Sequence, residues 1–166
     1  AYTAQLCMLY LMGLKLGAAN KNLKPKESSQ LIKDLKAMPN IYRKILKDKS
    51  AISKIAKSNS HFGCFLFLGR NNNFPSALEG ALNLKEISYI QAEGYAAGEM
   101  KHGPIALIDE YRAVVCIATQ SDTYEKMISN IQEIMSRKGK VIAIATEGNK
   151  TIKDHAHYVI YIPKTN

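Results

Sequence analysis

From residue 62 onward, short apolar runs alternate with stretches of helical periodicity, and this alternation restricts the fold more than any other property of the chain. Cys64–Leu68 (CFLFL), Ala113–Ala118 (AVVCIA), Val141–Ala145 (VIAIA) and Tyr158–Ile162 (YVIYI) are continuous apolar runs of strand length. Between them, residues 74–90 and 124–138 carry helical patterns, the second with Met127, Ile128, Ile131, Ile134 and Met135 on its inward side. A further short strand is predicted near Ile90 to Ala92. Strands without polar alternation are buried on both faces, so the pattern predicts an α/β fold: a mostly parallel sheet between helical layers, a three-layer αβα sandwich.

In such folds ligands gather where a strand hands over to a helix. The stretch from Leu66 to Leu107 has that form. Pro75 is tolerated only in a first helical turn, and Asn71 to Asn73 before it can offer a side-chain oxygen to that turn's free N–H groups, so a helix is predicted from about residue 74. On that helix Glu79, Asn83 and Glu86 share one stripe, with Ala77, Ala81, Leu84 and Ser88 on the opposite side. Two carboxylates on one face suit general acid-base work, although the same spacing also describes an ordinary solvated face. Downstream, Gly94, Gly98, Gly103 and Pro104 interrupt regular structure around Glu99, Lys101 and His102. Polar, heavily punctuated loops of this kind commonly carry functional side chains.

The strings FLGR, ALEGALNLKEISYI and AEGYAAGEMKHGPIALID resemble the second sugar isomerase (SIS) domain of the glutamine:fructose-6-phosphate amidotransferase (glucosamine-6-phosphate synthase) family, and the resemblance covers about residues 62 to 145. The resemblance implies an SIS-type sandwich and assigns roles by position. Glu86, in LKEISY, matches the glutamate that moves a proton between C1 and C2 of the sugar through an enediolate. His102, in KHGP, matches the ring-opening histidine, which in the family serves the neighbouring subunit, and a near-neutral imidazole suits a group that takes and gives protons. Glu79 matches a further active-site glutamate. Asn83 departs from the family's lysine, so any charge that the lysine lends the enediolate is missing. Lys85 is no substitute, lying roughly 160° around the helix. Asn71-Asn72 also depart, where relatives carry Gly and a polar residue. Asn83, Arg70 and Asn71 are the candidate substrate-binding residues. Arg70 and the asparagines at a helix N-terminus suit a phosphate, but the family's own phosphate loop lies in the first SIS domain.

The resemblance further implies fructose 6-phosphate and glucosamine 6-phosphate as substrate and product, no cofactor and no metal. It implies a homodimer, and a glutaminase domain and a first SIS domain on the same polypeptide. A non-catalytic phosphosugar-binding regulatory module, or a related SIS isomerase or deglycase, are the alternatives; Asn83 favours the former, Glu86 and His102 oppose it. The chain opens without an N-cap or initiator Met and closes after YVIYIPKTN, where the family continues with another helix and a tail lysine. It is therefore expected to be a fragment of a longer enzyme, truncated at the C-terminus of its SIS domain and inactive alone.

Residues 1–57 are expected to form a helical segment preceding an SIS domain over 58–166. Residues 1 to 18 (AYTAQLCMLYLMGLKLGA) read as a buried apolar helix, with Met8 and Met12 as packing residues. Residues 21 to 57 hold eleven Lys or Arg against three acids, +8 of the formal +9. That invites a nucleic-acid reading. The lysines are spread around amphipathic helices, broken at Pro39, with Tyr42 as the one interleaved aromatic, so a solvated connector is preferred and no nucleic-acid partner is expected. No membrane partner is expected, because no apolar run reaches 18 residues. Cys7, Cys64 and Cys116, odd in number and set in apolar runs, fit buried thiols of a cytoplasmic protein. His155 and His157 place two imidazoles on one face, but without further ligands at the right spacing a surface role is preferred to a metal site.

Overall fold

The computed structural model describes residues 2–47 and 49–165, which fall into two compact units divided at that point. In the first unit, α1 (Tyr2–Ala19) and α2 (Pro25–Lys47) form a helical hairpin. Its turn is tight: a Cβ on Gly17 would stand 3.3 Å from the Cβ of Leu23. Helix α2 runs straight through Pro39, where two helices were expected. The proline removes one hydrogen bond, and a half-buried stripe of Leu31, Leu35, Met38, Ile41 and Ile45 carries the helix past it. Helix α1 differs from its buried reading: only Leu14 is buried, whereas Met8, Leu9 and Met12 are exposed.

The second unit is an α/β sandwich. After α3 (Ser50–Asn59), five strands, β1 (Cys64–Gly69), β2 (Gln91–Ala96), β3 (Ala113–Ala118), β4 (Lys140–Thr146) and β5 (Tyr158–Ile162), form one sheet in the order β2-β1-β3-β4-β5. All four pairings are parallel. Helix α4 (Phe74–Ser88) connects β1 to β2, and α5 (Tyr124–Ser136) connects β3 to β4. A parallel pair needs such a crossover, which is why helices cover both faces.

One face is the main core. Leu66, Leu68, Val114, Cys116, Val141 and Ala143 meet Met127, Ile131 and Ile134 of α5, joined by Met100 and Ile152. The other face gathers Phe62, Val115 and Ile142 with the half-buried Phe65 and Phe67 and with Ile55 of α3. Helix α4 comes closest to the sheet beside β1 and β2: Ala77 and Ala81 are buried, and a Cβ on Gly94 would lie 2.8 Å from the Cα of Leu78. The chain leaves β1 for β2 on one side and later reaches β3 on the other. The topological switch therefore lies between β1 and β3, and their carboxyl ends, Gly69 to Asn73 and Ala118 to Thr119, flank the crevice where such sheets bind ligands.

Candidate active site

The turn after β1 is set by local sterics. A Cβ on Gly69 would sit 2.2 Å from the carbonyl oxygen of Asn73, so only glycine lets the chain fold back this sharply. Asn71 then adopts φ 47°, a left-handed conformation that asparagine tolerates better than other non-glycine residues. A short 3₁₀ turn, Asn71–Asn73, leads into α4, with Pro75 in the first turn as expected. The expected side-chain cap is absent. Asn73 instead donates from Nδ2 to Oγ1 of Thr119 at 2.8 Å, tying the end of β1 to the end of β3.

Along α4 the exposed stripe is present. Glu79 is half-buried, and Asn83 and Glu86 are exposed. Asn83 Nδ2 donates to the backbone oxygen of Glu79 at 3.0 Å and to its Oε1 at 3.1 Å. The amide links positions 79 and 83 without neutralising the glutamate. Among the described residues Glu86 makes no polar contact, leaving its carboxylate available to a ligand. Helix α4 ends at Tyr89, which takes φ 60° and donates its N–H to the Lys85 carbonyl.

Strand β2 delivers the second group of candidates. Tyr95 donates its hydroxyl to Glu93, and that hydrogen bond, followed by burial, pushes the phenol up from its ordinary value. The 3₁₀ turn Ala97–His102 follows, with Ala97 and Met100 buried in the core and Glu99, Lys101 and His102 exposed. His102 Nδ1 lies 2.7 Å from Glu99 Oε2, so the ring is oriented by a carboxylate while its Nε2 side remains open. Gly103, at φ 144°, ends the turn before Pro104.

Two residues that sequence reasoning passed over hold these parts together. Arg70 Nη1 donates to Oδ1 of Asn130 on α5 at 2.7 Å, and Lys101 pairs with Glu133 one turn further along at 2.8 Å. Asn130 is 6% exposed, a polar residue on the inward stripe of α5, and that misplaced polarity was the available signal. The structure thus brings Arg70 toward α5 and the Ala97–His102 turn, and groups Glu79, Asn83 and Glu86 on α4. His155 and His157 are not brought together as ligands: His157 Nδ1 accepts the N–H of Val141 at 3.1 Å. Among the described residues no three His, Cys, Asp or Glu side chains cluster as for a metal, and no helix is long and apolar enough to cross a membrane.

The profile of the SIS domain matches residues 64–166. The chain belongs to the SIS domain family. Across its whole length it is 48% identical to glutamine-fructose-6-phosphate aminotransferase (isomerizing) of Thermus thermophilus, and 48% identical to the enzyme of that name in Chlorobaculum tepidum. It spans 28% and 27% of those two proteins. Among solved structures, the C-terminal domain of glucosamine-fructose-6-phosphate aminotransferase from Francisella tularensis superposes with a TM-score of 0.91 at 32% identity, over 99% of this chain and 46% of that one. The expected SIS fold, with its helical segment ahead of the sheet, is therefore the observed one.

Proposed function

We propose that this SIS chain forms part of the isomerase half of a glutamine-fructose-6-phosphate aminotransferase, making glucosamine 6-phosphate from fructose 6-phosphate. The observation that carries the proposal is the 48% identity across the full chain to relatives of that name, joined to an α4 face that leaves Glu86 unpaired. In this reading nitrogen released from an amide condenses with the C2 carbonyl as an imine. Glu86 takes a proton from C1 as the C1–C2 double bond forms and the imine electrons move onto nitrogen, then returns it to C2 as the C1 hydroxyl loses its proton and C1 becomes the aldehyde. C1 and C2 are bonded neighbours, so one carboxylate reaches both with a small swing. Glu79, linked to Asn83, borders the same face, and Asn83, with both amide hydrogens turned to Glu79, brings no positive charge to the electrons released at the substrate.

His102, oriented by Glu99, opens the sugar ring by taking the anomeric hydroxyl proton and giving one to the ring oxygen. Its exposed position suits the active site of a neighbouring subunit in a homodimer, and a cytoplasmic setting suits the free thiols. The phosphate-binding and amide-hydrolysing parts would come from the first SIS domain and the glutaminase domain of the longer polypeptide. The direct test is glucosamine 6-phosphate formation by that polypeptide. Wild type should turn over, with Glu86→Gln and His102→Ala each slowing it at least about a hundredfold. Phosphosugar binding without turnover in the wild type would replace the enzyme reading with a regulatory module.

A further inference from the structure

Arg70 occupies a position that invites a phosphate, yet its guanidinium is already engaged inside the fold. Nη1 donates to Asn130 Oδ1 at 2.7 Å, and Asn130 is almost wholly buried on α5. The opposite edge of the guanidinium lies over Gly98: a Cβ built there would stand 3.3 Å from Nη2 and 3.7 Å from Cζ. Gly98 is the second residue of the turn that carries Glu99 and His102. The far end of that turn is held from the same helix, by Glu133 Oε1 on Lys101 Nζ at 2.8 Å. Between the two braces Met100 is fully buried.

The braces differ in weight. Lys101 is 64% exposed, and a surface pair of that kind contributes little. Arg70 is half-buried and its partner buried, and a planar guanidinium can lie flat against a peptide while hydrogen-bonding in its own plane; an ammonium on a flexible stem cannot do both. Gly98, whose lack of a side chain leaves room for the guanidinium, stands four residues before His102.

We infer that Arg70, held by Asn130, is a positioning residue that seats the Ala97–His102 turn and so aims His102, and is not a ligand of the substrate phosphate. This rests on the reading of His102 as the ring-opening group. A positioning role predicts that Arg70→Lys lowers kcat by about tenfold to a hundredfold, since misplacement of a reacting group by about 1 Å has that cost, with KM unchanged. A phosphate contact predicts the reverse, a raised KM at nearly constant kcat.

The experiment measures both constants on the full-length polypeptide for Arg70→Lys, His102→Ala and their combination, with folding checked by melting temperature. Loss of kcat alone, and a double variant no slower than His102→Ala, is the expected result. A rise in KM alone, or losses that multiply in the double variant, overturns the inference. Asn130→Asp, which keeps an oxygen for Nη1, should retain kcat where Asn130→Leu loses it, a rescue that guards against general instability. If the wild type makes no product the functional reading has failed, and NMR on the chain decides the positioning alone. Nuclear Overhauser contacts between the His102 ring and Glu99 should weaken in Arg70→Lys; unchanged contacts refute the brace.

Discussion

Replacing Gly69 by alanine tests the steric logic on which the site is built. The new methyl carbon would stand 2.2 Å from the Asn73 carbonyl oxygen, 2.5 Å from its carbon and 2.8 Å from the Phe74 nitrogen, all backbone atoms. The shortest of these falls 1.2 Å short of the 3.4 Å at which ordinary contact begins, so the main chain itself has to move. It cannot move alone. Asn73 is tied to Thr119, and Phe74 opens the helix that buries Ala77 and Ala81 against the sheet. Overpacking in a close-packed interior costs about 1 to 3 kcal/mol, and a clash with tethered backbone belongs at the upper end, about 3 kcal/mol. With a urea m-value of about 1.5 kcal/mol/M, the midpoint should fall by about 2 M. Gly63→Ala supplies the control, because nothing lies within 4 Å of its added carbon and its cost should stay within about 0.5 kcal/mol. Urea unfolding followed by circular dichroism compares the two. A Gly69→Ala midpoint equal to that of Gly63→Ala would refute the argument and show that the turn opens freely.

Three further outcomes follow from the core and its titratable groups. Ile131→Ala, at a wholly buried position beneath the sheet, should cost about 3 kcal/mol in the same unfolding assay. Burial pushes the Cys116 thiol up to about 12, so at pH 8 it should resist iodoacetamide in the folded protein while Cys7 and Cys64, each partly accessible, react; mass spectrometry of the labelled peptides checks the order. Burial, and then the charge of Lys140, push His157 below its ordinary 6.5, so the unfolded chain takes up the proton first. Its contribution is whole above pH 6.5, falls as pH drops through 6.5 toward the folded value, and levels below it. Melting temperatures of wild type and His157→Gln should therefore converge on acidification, and a constant gap from pH 8 to pH 5 would contradict burial beside Lys140 as the cause.

Much of this architecture is written locally in the chain. Strands β3 and β5 occupy the residues their apolar runs mark, and β1 and β4 extend those runs by one residue or two. Strand β2 was harder to read: its apolar pattern breaks at Glu93 and Gly94, because it is an edge strand and Gly94 admits the backbone of α4, so it runs Gln91–Ala96, beyond the predicted Ile90 to Ala92. Pro39 misled in the other direction, since its helix-breaking tendency gave way to the amphipathic stripe on either side. The same contrast holds at the site. The stripe of Glu79, Asn83 and Glu86 follows from the helical repeat alone. The Arg70–Asn130 bond joins residues 60 positions apart, and no local spacing announces it. Asn73 illustrates the same limit, as a good cap by type whose side chain is drawn away to Thr119 by the tertiary fold.

The proton shuttle assigned to Glu86 is tested most directly by solvent deuterium exchange into C1 of fructose 6-phosphate and C2 of glucose 6-phosphate, followed by NMR, with the full-length polypeptide and its Glu86→Gln variant. Exchange in the wild type that vanishes in the variant is the predicted result, and it would also establish that Asn83 serves in place of lysine. A wild type that binds the sugar yet leaves its protons unexchanged, or a variant that exchanges them as fast, would contradict the account.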